Sequence, residues 1–182
     1  GTGWDYTFLQ MLIDDPDTTP VELGTEIVDS FVAQGIPGAT GFTPSYALSM
    51  LDMSNAQVAI DSFKALNGLV DSTSIVSDLN QVRLHSIHVE PGDSSSAVDL
   101  IQLLNNLALF TEDPEVRSAA EAASSAVSAM IMESEFVDGQ SCILGICILS
   151  DIDTTGMTGI SVLFPSSESE WTTRSRGVTE SV

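Results

Sequence analysis

The chain has 182 residues, 43% of them hydrophobic and 17% charged, which is enough apolar material for a buried core and unlike a disordered polymer. Lys64, Arg83, Arg117, Arg174 and Arg176 are its only strong cations against 26 carboxylates, giving a formal net charge of −21. That balance argues against nucleic acid and anionic membrane surfaces as partners, because no basic patch can release counterions from a phosphate backbone, and it favours cationic peptides or metal ions.

Taken in chain order, the sequence opens on "GTGWDYTFLQMLIDDP", where Trp4 and Tyr6 arrive by the sixth residue and an apolar helical pattern follows at once. Asp5 can cap a helix that starts near Thr7. In "TTPVELGTEIVDSFVAQG", Thr19 is a cap, Pro20 suits the first helical position, Glu22 completes a capping box and Gly35 supplies the stop. Leu23, Ile27, Val28 and Phe31 form its apolar face. "YALSMLDM", 46–53, reads as a strand. "SNAQVAIDSFKALNGLV" repeats the helix logic, with Ser54 and Gln57 as the box and Ile60, Phe63, Leu66 and Val70 as the stripe. "SAVDLIQLLNNLALF" predicts a helix opened by Ser96 and Asp99 that buries Leu100, Ile101, Leu104 and Leu107. "DPEVRSAAEAASSAVSAMIM" predicts another from Asp113 and Pro114, with an alanine-rich face suited to close packing.

Two further strands are expected at 141–149, "SCILGICIL", and 158–165, "TGISVLFP", with the turn-forming "DIDTTGM" between them. In a single strand over 141–149, Cys142 and Cys147 fall on opposite faces, as buried free thiols that do not pair. Several helices over a few buried strands indicate an α/β layered domain. The apolar runs are too short to span a bilayer, and residue 1 does not begin a signal peptide. The acidity fits a solvated surface in an extracellular or cell-surface setting.

No cofactor is expected. "HSIH" spaces His85 and His88 about one helical turn apart near Glu90, a weak zinc pattern. "DIDTTG" sets Asp151, Asp153 and Gly156 as in the first half of a calcium loop, but Val162 stands where the bidentate carboxylate belongs. An ordinary Asp/Thr/Gly turn is the simpler reading.

"GWDY" (3–6), "TPVELGTEIVDSF" (19–31), "YALSMLDMSNAQVAIDSF" (46–63), "VDLIQLLNNL" (98–107) and "GMTGISVLFP" (156–165) resemble, in that order, the clostripain-like cysteine peptidases. The last stretch fits the family's strand through Gly159, Ile160, Ser161, Val162, Phe164 and Pro165, with Leu163 in place of the usual tyrosine. No single motif is specific; their order is. The resemblance implies a caspase-like α/β/α sandwich, with residues 1–165 as the C-terminal part of the peptidase domain and 166–182 as a loosely ordered tail. It implies hydrolysis after arginine or lysine by a His/Cys dyad upstream of "GWDY". This chain would then be the non-nucleophilic portion, inactive alone, partnered by the upstream catalytic segment and by a peptide or protein substrate.

An internal dyad of Cys142 or Cys147 with His85 or His88 is disfavoured, since neither cysteine has a neighbouring cation to stabilise a thiolate. Asp5 is the candidate substrate-binding residue. A pocket for an arginyl or lysyl side chain needs a buried carboxylate, and the family builds its pocket partly from the segment after the catalytic cysteine. The alternative is a non-catalytic secreted or cell-surface binding or scaffold domain of the same fold.

Overall fold

The computed structural model describes residues 6, 8–34, 41–43, 46–70, 76–88, 97–137, 140–143, 146–149 and 155–166. At its centre lie three helices: α3 (Ala56–Val70), α5 (Leu100–Phe110) and α6 (Pro114–Ser128). α6 begins where the Asp113 carboxylate accepts from the N–H groups of Glu115 and Val116, with Pro114 in the first turn. Its alanine face, Ala120, Ala123 and Ala126, is buried, and small side chains there let α3 and α5 approach closely. α5 contributes Leu100, Ile101, Leu104 and Leu107 to the same core, all four at the expected positions. Only three residues separate α5 from α6. Across that turn Arg117 donates from Nε to the Ala108 carbonyl at 3.1 Å and from its guanidinium to the Thr111 carbonyl at 2.8 Å. These acceptors lie at the C-terminal end of α5, where carbonyls lack intrahelical partners.

A second layer is formed by α1 (Phe8–Asp14), α2 (Pro20–Gln34) and the antiparallel pair β2 (Tyr46–Leu51) and β4 (Ile131–Val137). The capping box of α2 is complete. Thr19 donates from N and Oγ1 to Glu22 Oε2 at 2.8 and 2.7 Å, and the Glu22 N–H donates back to Thr19 Oγ1 at 3.3 Å. Val28 anchors α2 in the interior, while Leu23, Ile27 and Phe31 are half-buried. β2 and β4 run in register from Tyr46↔Val137 to Met50↔Glu133, and the register shifts between Met50 and Leu51.

Two smaller sheets complete the described structure. β3 (Ala97–Asp99) pairs antiparallel with β7 (Ser161–Leu163), and β1 (Gly41–Thr43), β5 (Gln140–Ile143) and β6 (Ile146–Leu149) form a sheet in the order β1-β5-β6. α4 (Val76–His85) packs on α5. The architecture is mixed α/β and mostly helical, with antiparallel pairing throughout the described strands.

Four expectations are corrected. Residues 141–149 are two strands of a hairpin rather than one strand, so Cys142 and Cys147 are Cα partners across it instead of lying on opposite faces. The Ser54/Gln57 box does not form: Asp52 accepts from the Ser54 N–H at 2.9 Å and starts a 3-10 turn, Met53–Asn55, while Gln57 donates to Asp61. The carboxylate suits the open turn better than a hydroxyl because it also receives Asn55 Nδ2 at 3.0 Å. Ile60 is 47% exposed and Ala59 takes its place, because Ala59, Phe63, Leu66 and Val70 keep the helical period that faces α6. Finally, the helix at 97 starts later. Residues Ala97–Asp99 are extended in pairing with β7, and Asp99 alone is the cap.

Candidate functional site

A polar constellation lies where the C-terminus of α4, the start of α5 and the segment 155–165 meet. Asp99 is central to it. Its φ of −64° and ψ of 127° leave it extended, and its Oδ1 accepts from the Gln102 N–H at 3.0 Å as an ordinary helix cap does. The same carboxylate receives the Thr158 N–H on Oδ2 at 2.7 Å and the Thr158 hydroxyl at 2.8 and 2.9 Å. At 2% exposure such a charge needs several donors, and the turn at 155–158 supplies them. On either side of that tie, Gln102 Nε2 donates to the Gly156 carbonyl at 3.2 Å and the Leu100 N–H donates to the Ile160 carbonyl at 2.8 Å.

Two glycines permit the segment's path. Gly156 has φ +83° and Gly159 φ +113°, both in the region that disfavours L side chains. At Gly159 a Cβ would also collide with Ser49 Oγ and stand 3.1 Å from Ser134 Cβ, so the turn rests directly on β2 and β4. Ser49 Oγ is buried there without a hydrogen-bond partner.

The opposite flank is made by α4. Arg83 is 8% exposed, and its Nε donates to the Phe164 carbonyl at 3.2 Å, just past β7. His88 Nε2 lies 3.2 Å from the Arg83 carbonyl; a carbonyl only accepts, so Nε2 carries the hydrogen. His88 also forms an antiparallel bridge to Val98 of β3. Ser86 donates to the Val82 carbonyl at 2.7 Å and receives Asn106 Nδ2 at 3.3 Å. The arrangement fixes segment 155–165 against both helices, with the side chains of Asp99, Thr158 and Arg83 engaged inside the fold.

The sequence-derived candidates fall as follows. Asp5 lies outside the described residues, as do Glu90, Asp151 and Asp153. His85 and His88 are not gathered as a pair: the His85 ring stacks on Phe110 with centroids 4.9 Å apart, whereas His88 turns to the Arg83 carbonyl. Among the described residues no group of three or more His, Cys, Asp or Glu is assembled to hold a metal ion. Nor is any helix among them long and apolar enough to cross a membrane. Cys142 and Cys147 belong to the β1-β5-β6 sheet, and the two histidines to the α4–β3 junction. Arg83 and Thr158 were not singled out from sequence. The signal for Thr158 was faint: a hydroxyl between two turn glycines, set 59 positions from the acid it meets.

Comparison of the chain with protein-family models, with curated proteins and with solved structures finds no match.

Proposed function

We propose that this chain is the non-nucleophilic portion of a clostripain-like cysteine endopeptidase, with the caspase-like sandwich completed, and the His/Cys dyad carried, by other sequence. The observation that supports this reading is the meeting of two of the motifs on which the resemblance rests. "VDL" and "GMTGISVLFP" are joined by β3–β7 pairing and by the tie between Asp99 and Thr158. In this reading the chain supplies sheet edges and packing helices, and Asp5 is the carboxylate that receives the substrate's arginyl or lysyl side chain.

A second reading, a non-catalytic secreted or cell-surface binding or scaffold domain, draws on a separate observation. The buried polar side chains Asp99, Ser86 and Ser124 are all engaged with neighbouring groups of the fold.

The test is to express the complete open reading frame beside the 182-residue chain and assay both on arginyl and lysyl peptides. Cleavage by the first but not the second is expected, and Asp5→Asn in the complete product should lower kcat/KM by at least tenfold while folding persists. Absence of cleavage by the complete product would favour the scaffold reading. Turnover by the chain alone that disappears in Cys142→Ala or Cys147→Ala would place the nucleophile inside it.

A further inference from the structure

We propose that Cys142 and Cys147 form a cross-strand disulfide that locks the β5–β6 hairpin. This stands apart from the peptidase reading and rests on the register. β5 and β6 pair as Gln140↔Leu149, Ser141↔Ile148, Cys142↔Cys147 and Ile143↔Ile146. Directly opposed residues of an antiparallel pair share one face of the sheet, with Cα atoms about 4.5 to 5.5 Å apart depending on whether the pair is hydrogen-bonded. Disulfides bridge Cα atoms about 4.4 to 6.8 Å apart, so either kind of pair brings two cysteines within range. Two residues join the strands in sequence, between Ile143 and Ile146.

A second observation concerns the neighbouring strand. On the other side of β5, the residue opposite Cys142 is Gly41 of β1. The row across the sheet therefore reads Gly41, Cys142, Cys147, with no side chain at its first place. β6 ends the described sheet, so the row is flanked by a glycine on one side and a sheet edge on the other.

The oxidant is a low-molecular-weight disulfide such as oxidised glutathione. One cysteine thiolate attacks it and releases one equivalent of small thiol, leaving a mixed disulfide. The second cysteine thiolate attacks that mixed disulfide at the protein sulfur and releases the other equivalent. The two protein thiols lose two electrons and two protons, and the small disulfide, taking both, departs as two thiols.

The experiment incubates the chain with oxidised and reduced glutathione at fixed ratios, in native buffer and in urea. It then quenches in acid, alkylates the remaining thiols under denaturing conditions and measures intact mass. In native buffer the expected species is a monomer that takes up no alkyl group, weighs two hydrogens less than the reduced chain and yields one linked peptide containing both cysteines. Its oxidised fraction should exceed that in urea at the same glutathione ratio by at least tenfold in equilibrium constant, because only the folded register holds the two thiols opposed. Double alkylation in native buffer, a stable glutathione adduct, a disulfide-linked dimer, or equal oxidation in both solvents would each overturn the proposal. No variant has to fold for these outcomes to be read.

Discussion

The Asp99 carboxylate receives both the backbone N–H and the hydroxyl of Thr158, at 2.7 and 2.8 Å, across 59 positions of sequence. One acid thereby starts α5 and holds the turn that leads into β7. Asp99→Ala should remove a helix cap and leave the partly buried Thr158 donors without their acceptor, lowering stability by about 2 to 3 kcal/mol. Thr158→Val should lower it by about 1 to 2 kcal/mol, since the backbone N–H keeps its partner. Urea denaturation of the single and double variants measures both, and the double variant should be less destabilised than the sum of the two. Strict additivity would show that the pair does not act together.

Glycines in two settings should respond oppositely to alanine. Gly159→Ala imposes φ +113° on an L residue and drives its Cβ into Ser49, so a loss of about 2 kcal/mol or more is expected. Gly68→Ala, in α3 with no atom within 4 Å of the added carbon, should gain about 0.5 to 1 kcal/mol. Thermal melts of the two variants check the sign, and a stabilised Gly159→Ala chain would refute the close approach to β2.

Thr19, through its hydroxyl and then its backbone N–H, holds the Glu22 carboxyl below the ordinary glutamate range. A carboxyl with a lowered folded pKa contributes stability that is present above its unfolded pKa and lost as pH falls through the folded one. The difference in melting temperature between wild type and Glu22→Gln should therefore be largest near neutral pH and vanish on acidification below the folded pKa. Asp52, lowered by Ser54, carries the same sign. A Glu22 carboxyl resonance that titrates like a free glutamate would contradict the capping box.

Lys64 pairs with Asp61 at 3.7 Å with both side chains mostly exposed, and Arg83 and Arg117 donate to backbone carbonyls. With −21 on the chain, repulsion among carboxylates should weaken as salt shortens the screening length from about 30 Å at 0.01 M to about 3 Å at 1 M. The melting temperature should rise over that range in sodium chloride. A flat response would indicate that bound cations already neutralise the acids.

Some helix starts were legible from a local cap and a periodic face, though the Ser54/Gln57 box was not among them. Thr19 with Glu22, Asp113 with Pro114, and the four buried positions of α5 followed from side-chain chemistry within a few residues. What failed needed information from distant sequence. The isoleucines and leucines around Cys142 suit one buried strand as well as two short ones, and only Gly145 hinted at the turn between them. β4 was missed because "MIMESEF" continues the apolar texture of α6, and its strand form depends on pairing with β2. Asp99 was placed at the helix start together with Ser96, but its partner Thr158 carries no local mark. Asp5, the residue proposed to meet substrate, falls outside the described structure, so its role rests on resemblance alone.

The three-residue turn between α5 and α6, clasped by Arg117, also bears on the order of assembly. Closing so short a connection sacrifices little chain entropy, whereas β3 cannot pair until Ser161–Leu163 has been synthesised and brought back to it. The helical hairpin should therefore form before the β3–β7 pair. In pulse-labelled hydrogen exchange during refolding, the amides of α5 and α6 should gain protection before those of Ser161–Leu163; the reverse order would contradict this. A nascent chain leaving the ribosome would thus carry a built helical centre while Ala97–Asp99 waits for its partner strand.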